Sequence, residues 1–243
     1  MQNIAFGFFF CQKVSDKSPC QRLNLYPTTL PWHTTHMSDK LSKHYDHLYK
    51  SHHTGFAGTN PLPFVRRVPE LITEGAVLDI GGGPGRNALF LARHGFAVTV
   101  VDISTVGLQR ATADAAADNL PIIAIIGDIT KLGLKDDYDV IIMTYVLHLI
   151  DTTAATNLIT DIQAHTKPNG LVLITTFTKE GDFYRNDPTA STFYPDSNEL
   201  RTMFPAEDWQ LLEYTEKETA ALKRREDGTP LLNTTAFLLA RKI

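Results

Sequence analysis

Asp79, Asp102 and Asp128 each close an apolar run of the chain, and the first of these runs leads straight into the loop "GGGPG", Gly81–Gly85. Glycines let a backbone turn with positive φ and let a ligand approach where a Cβ would stand in the way. Asp102 lies 21 residues after Gly81, a spacing at which a carboxylate accepts hydrogen bonds from ribose hydroxyls. Asp128, in "GDI", can accept a hydrogen bond from an adenine amino group. Ile103 and Ile129 stand beside these acids and offer apolar walls for the base. One such aspartate alone reads as a helix cap or a solvated strand end. Three in succession behind a glycine loop point to a ligand that contains a nucleoside.

The loop spacing sorts the nucleoside ligands. A phosphate-binding P-loop needs Gly-Lys-Ser/Thr, and no such triplet follows here. A dinucleotide site needs G-x-G-x-x-G, whereas Gly81, Gly83 and Gly85 give G-x-G-x-G, with Arg86 in the place of the last glycine. S-adenosylmethionine carries no phosphate, so its loop need not cradle one. It brings a sulfonium and an ammonium, which suit an acid such as Asp79. An NAD(P)-dependent oxidoreductase and a non-catalytic cofactor-binding module stand as the alternatives.

The elements that must position these residues follow from periodicity. "AVLDI" (76–80), "AVTVVD" (97–102), "PIIAIIGD" (121–128), "YDVIIMTYVL" (138–147) and "LVLITTFT" (171–178) are apolar throughout and read as buried strands. Helical stretches separate them: "RNALFLARHG" (86–95) with Gly95 as its stop, the segment capped by Ser104, and Asp151–Thr166 capped by Asp151. "KPNG" (167–170) reads as a turn. A short helix over Asn198–Phe204 precedes two further strands, Trp209–Glu218 and Asn233–Lys242, which have no helix between them and so form an antiparallel pair. The expected fold is α/β, a mostly parallel sheet with helices on both faces and a hairpin at the end.

Composition sets the outer limits. The 243 residues carry a formal charge of −4 and 43% hydrophobic residues, which offers no basic surface for nucleic acid and no apolar run long enough for a membrane span. The only cysteines, Cys11 and Cys20, make no disulfide framework, and the chain reads as cytoplasmic, a monomer or homodimer. Residues 1–38 read as a poorly ordered extension and 39–243 as one domain. Met37 offers an alternative translation start.

Together "VLDIGGGPGRN", "VTVVDIS", "GDIT", "YDVIIMTYVLHLI" and "TKPNGLVLITTFT" resemble the successive motifs of class I S-adenosylmethionine-dependent methyltransferases, over about Ser42 to Lys242. "GRN" and the tail "LLARK" are most similar to the tellurite-resistance branch of the small-molecule enzymes. The resemblance implies a Rossmann-like seven-stranded sheet of order 3-2-1-4-5-7-6 and S-adenosylmethionine as cofactor. Its binding residues would be Asp79, Gly81, Gly83, Gly85, Arg86, Asn87, Asp102, Ile103, Asp128, Ile129 and Thr144. Members of the branch carry a His-Arg pair near the last hairpin; here "ALKRREDG" places Lys223 and Arg224 in that stretch, without the histidine.

Methyl transfer from a sulfonium is an in-line displacement with a neutral leaving group, so alignment and exclusion of water matter most. A soft nucleophile needs no base; oxygen or nitrogen needs a proton acceptor. Tyr145 and His148, after the fourth strand, are the catalytic candidates, His148 as the base. No Asn-Pro-Pro-aromatic signature follows that strand, where "TYVL" begins at Thr144, so a small-molecule acceptor is expected. Phe183, Tyr184, Phe193 and Tyr194 in the long connection Thr178–Ser197 are candidates for the acceptor pocket. Upstream, "KHYDHLYKSHHTGF" reads as a helix and loop capping the cleft, with Tyr45 or Tyr49 at the cofactor. Its histidines 44, 47, 52 and 53 lack a ligand pattern, and no metal site is expected.

Overall fold

The computed structural model describes residues 36–51, 58–188 and 191–243. Cys11, Cys20, the extension up to residue 35, His52 and His53 lie outside them. The first helix, α1 (His36–Ser51), is followed by a 3-10 turn at Val65–Arg67 that runs into α2 (Val68–Leu71). Then come β1 (Ala76–Ile80), α3 (Arg86–Arg93), β2 (Ala97–Asp102), α4 (Thr105–Ala117), β3 (Ile122–Ile126), α5 (Ile129–Leu132), β4 (Tyr138–Thr144), α6 (Thr152–Ala164) and β5 (Thr166–Phe177). The chain closes with α7 (Asp182–Asn186), α8 (Glu199–Thr202), β6 (Trp209–Arg224) and β7 (Pro230–Lys242).

All seven strands form one sheet in the order β3-β2-β1-β4-β5-β7-β6. β1 to β5 are parallel and β7 is antiparallel to both neighbours. Side chains of a strand alternate between faces, and the alternation builds two cores. Val77, Val98, Val100, Val140 and Ile142 pack against α3 and α4. Leu78, Ile80, Ile141, Met143 and Ile174 pack against Leu158, Ile159 and Ile162 of α6 and against Phe204 and Trp209. Each such side chain contributes about 1.5–3 kcal/mol by leaving water. Asp79 alternates with Leu78 and Ile80, so it lies on the α3/α4 side.

Several boundaries differ from the sequence reading, each for a local reason. β4 ends at Thr144 rather than Leu147, because Tyr145 takes a left-handed conformation, φ 59°. The Tyr145 N–H still donates to the Thr175 carbonyl at 2.7 Å. Lys167–Gly170 belongs to β5 as an irregular start, with Asn169 at φ 63°. β3 stops at Ile126 because Asp128 caps α5. The hairpin strands are longer than expected: β5 pairs with β7 only as far as Thr235, and β6 and β7 continue together to Arg224 and Pro230. This overhang projects past the C-terminal ends of the parallel strands. The connection 178–197 holds α7 and a bridge between Asp151 and Thr192. No helix among the described residues is long and apolar enough to cross a membrane.

Candidate functional site

A cleft of about 980 Å³ opens along the C-terminal ends of the strands, where ligands of open α/β sheets bind. Its two halves differ in chemistry. One half is built by the glycine loop, the ends of β2 and β3, and α1. The other is built by the segment after β4, the end of β5, α7 and the overhanging hairpin.

The loop glycines are required first by the protein itself. Gly81, Gly83 and Gly85 have φ of 67°, 53° and 81°, conformations that favour glycine. A Cβ on Gly81 would stand 2.3 Å from Val146 Cγ2, and one on Gly82 2.4 Å from Val100 Cγ2. A Cβ on Gly83 would stand 2.4 Å from the Tyr49 hydroxyl, and one on Gly85 2.9 Å from Ala111 Cβ. The sequence reading assigned this space to the ligand; packing from four distant segments fills it. The cleft wall is formed by Gly81, Gly82, Pro84 and Arg86, and Gly83 and Gly85 do not line it.

Asp79 lies fully buried beneath the loop, its Oδ2 2.9 Å from where a Gly82 Cβ would be. Neither carboxylate oxygen makes a hydrogen bond of ordinary geometry among the described residues. Burial raises its pKa to about 7, against the pull of the Arg86 guanidinium. Arg86 lines the cleft between Asp79, Tyr145 and Tyr49, and burial lowers its own pKa. Asp79 itself does not line the cleft, and Arg86, which does, is the cation that acts on its carboxylate.

Asp102 is nearly buried and lines the same half. Its Oδ2 accepts the Gly83 N–H at 2.8 Å and its Oδ1 the Ser104 N–H at 2.7 Å. These bonds fix the carboxylate in place at the cleft wall. Burial raises its pKa, and backbone bonds from Ser104, Gly83 and Ile103 oppose that rise. Ile103, Asp128 and Ile129 line the cleft beyond it. Asp128 is also the N-cap of α5: its Oδ1 accepts from the Thr130 N–H at 3.1 Å and hydroxyl at 2.6 Å, and Lys131 lies 3.2 Å from its Oδ2. Asn87 takes the Leu62 N–H on its Oδ1 at 3.1 Å and points its amide at Thr144 Oγ1, 3.5 Å away. Both residues line the cleft where its halves meet.

α1 covers the half that holds the glycine loop. Leu41, His44, Tyr45, Leu48 and Tyr49 face the cleft. Burial raises the Tyr45 pKa to about 12 and that of Tyr49 further, with Asp102 adding to both. Among the described residues no cluster of three or more metal-ligating side chains occurs.

The other half is aromatic. Tyr145 and His148 line it and each packs on Phe177, with ring centroids 5.1 and 4.7 Å away. Phe177 in turn meets Phe183 edge-on at 5.1 Å. Tyr194 lies 6.0 Å from His148 and 5.5 Å from Tyr184. Three of the four aromatic candidates depart from the sequence reading: Tyr184 and Tyr194 do not line the cleft, and neither does Phe193. Phe193 is buried in the core on the α6 side of the sheet, and its N–H donates to the Ile150 carbonyl at 2.9 Å. His148 Nδ1 is buried with no partner among the described residues, and burial lowers the His148 pKa to about 4. Tyr145 is hydrogen-bonded to Thr235, whose hydroxyl meets that of Thr219 at 2.7 Å on the overhanging hairpin. Lys223 reaches the cleft, while Arg224 donates to the Gly228 carbonyl at 2.8 Å and holds the hairpin turn. Sequence alone does not single out Phe177, whose only local signal is its place on a strand, or Thr219, which lies one residue beyond the strand read as Trp209–Glu218.

Comparison with known proteins agrees with this geometry. The chain is 32% identical over 197 residues to "Hemagglutinin 1" of Eikenella corrodens, an overlap of 81% of this chain and 63% of that protein. It is 31% identical over 173 residues to the "Probable S-adenosyl-L-methionine-dependent methyltransferase TehB" of Haemophilus influenzae strain 10810, covering 71% of this chain and 59% of that one. The chain thus spans about three fifths of the length of these relatives. The crystal structure of TehB from Haemophilus influenzae superposes with a TM-score of 0.68 at 27% identity, over 82% of this chain and 67% of that one. Residues 47–234 match the family model described as "Tellurite resistance protein TehB", and the chain belongs to that family.

Proposed function

We propose that the protein is an S-adenosylmethionine-dependent methyltransferase acting on a small-molecule acceptor. The observation that carries the reading is the polarity of one continuous cleft. Asp102, Asp114 and Asp128 line the half below α1, and aromatic rings line the half beside the hairpin. Asp102 is held ready for ribose hydroxyls, and Ile103 and Ile129 flank the place of the base. A volume of about 980 Å³ lies at the upper end of single-ligand pockets, about 300–1,000 Å³, and leaves room for a cofactor and a small acceptor together. The relative named as a probable S-adenosyl-L-methionine-dependent methyltransferase supports the same cofactor.

When bound, the cofactor supplies an electrophilic methyl group on a sulfonium. An acceptor lone pair forms the new bond to that carbon, and the electrons of the breaking C–S bond return to sulfur. The protein's task is to align the two and keep water out. The acceptor half favours an atom that attacks without losing a proton first. No carboxylate lines it among the described residues, and a histidine with a pKa of about 4 is a weak base at neutral pH. A soft, unprotonated sulfur, selenium or tellurium nucleophile fits best. A screen of tellurite, selenite, thiols, small acids and amines, read by S-adenosylhomocysteine release, tests this. Turnover is expected with the chalcogen compounds; turnover with amines or acids alone would contradict the acceptor assignment.

A further inference from the structure

α1 carries the tyrosines that roof the cofactor half, and it packs principally on α4. The fastening is specific. Ser104 is the N-cap of α4, its hydroxyl oxygen accepting the Gly107 N–H at 3.0 Å. The Ser104 hydroxyl in turn donates to Asp46 Oδ1 at 2.6 Å, and the same oxygen accepts the Val106 N–H at 3.0 Å. Asp46 of α1 therefore caps α4 from another helix, satisfying an amide that α4 leaves without an internal partner. Its charge also lies at the positive end of the α4 dipole. Four residues earlier, the Ser42 hydroxyl donates to the Ile103 carbonyl at 3.0 Å.

These anchors fall on residues 103–106, immediately after Asp102. One helical turn beyond Asp46, Tyr49 enters the glycine loop. A Cβ on Gly107 would stand 3.0 Å from Tyr49 Cε2, and one on Gly83 2.4 Å from the Tyr49 hydroxyl. The tyrosine thus lies between two backbone stretches that are glycine at the point of contact. Gly83 also donates to Asp102, so the latch, the tyrosine, the loop and the ribose carboxylate form one connected set.

We infer that Asp46 is a positioning residue: it locks α1 onto the N-terminus of α4 so that Tyr45 and Tyr49 close the cofactor half and Gly83 stays on Asp102. The inference rests on the cofactor reading for its binding consequence, but the latch is testable without a ligand. Hydrogen exchange of the ligand-free full chain should show faster exchange across α1 in Asp46→Ala. Asp46→Asn, whose carbonyl oxygen can accept both bonds, should restore the wild-type rate. Calorimetry with S-adenosylhomocysteine should show about tenfold weaker binding to Asp46→Ala and near-normal binding to Asp46→Asn. Unchanged α1 exchange in Asp46→Ala would overturn the latch. Faster exchange with unchanged affinity would overturn the positioning role. If wild-type protein bound no S-adenosylhomocysteine, the cofactor reading would fail, and the exchange data would still decide the latch.

Discussion

The two halves of the cleft are organised by different physics. In the cofactor half, polar groups are held by backbone bonds: Asp102 by Gly83 and Ser104, Asp128 by Thr130, Asn87 by Leu62. In the aromatic half, ring contacts among Tyr145, His148, Phe177 and Phe183 set the shape, and Tyr194, which does not line the cleft, packs on His148. Some hydrogen bonds there join the wall itself, Tyr145 and Thr219 each meeting Thr235, and others act from behind it. Asn233 Oδ1 accepts the Phe183 N–H at 2.9 Å, and Asp182 accepts the Leu232 N–H at 2.7 Å and pairs with Arg225. A bonded wall resists small changes and fails sharply; a packed wall adapts. Under the proposed function, the first would suit an invariant cofactor and the second an acceptor defined by shape and softness.

Substitutions should expose that difference. The largest effect is expected at Gly83→Ala, which combines a left-handed φ of 53° with a Cβ 2.4 Å from the Tyr49 hydroxyl. S-adenosylhomocysteine affinity should fall about 100-fold, about 2.7 kcal/mol, with a lower melting temperature. Gly95→Ala is the control: φ is 90° but nothing lies within 4 Å, so stability should fall while affinity holds. A similar loss of affinity in both variants would mean that backbone strain alone, and not the tyrosine contact, governs the loop.

Asp102→Ala should weaken cofactor binding by more than about tenfold, about 1.4 kcal/mol, measured by calorimetry. Unchanged affinity would refute the ribose assignment. In the aromatic half, His148→Ala should raise the acceptor KM several-fold and leave kcat within about threefold, the signature of lost packing rather than lost proton transfer. Because burial holds His148 near a pKa of about 4, the wild-type rate should show no histidine inflection between pH 6 and 8. An inflection in that range that disappears in His148→Ala would make His148 a general base.

The smallest effect concerns Asp79. Its folded pKa of about 7 lies above the ordinary 3.8, so between these values the folded chain binds more protons than the unfolded one. Its contribution to stability is therefore present at low pH and lost as pH rises toward 7. Asp79→Asn removes this cost, so the melting temperature of the ligand-free variant should gain on wild type as pH goes from 4.5 to 8. A constant difference across that range would show that Asp79 ionises freely in the folded state.

Much of the cofactor half could be read from sequence because its signals are local. Apolar runs ending in aspartate mark strand ends, Ser104 and Asp151 announce the helices they cap, and Gly81–Gly85 announces the loop. What could not be read depends on distant partners. Gly81 packs against Val146 and Gly83 against Tyr49, and nothing near the loop reports either contact. Tyr145 ends β4 through a backbone conformation that its residue type does not signal. Phe193 and Phe183 look alike in the chain, yet one joins the core and the other lines the cleft, because the bridge from Asp151 to Thr192 and the Asn233 side chain orient them. The overhang of the hairpin was hidden because "KETAALKR" has no marked strand alternation, and its pairing with β7 decides its state.

The most direct test of the central claim is a calorimetric titration of the full chain, and of Asp102→Ala, with S-adenosylhomocysteine and with NAD. The account predicts one S-adenosylhomocysteine per wild-type chain, binding at least tenfold weaker to the variant, and no uptake of NAD by either. Binding of NAD without S-adenosylhomocysteine would contradict it.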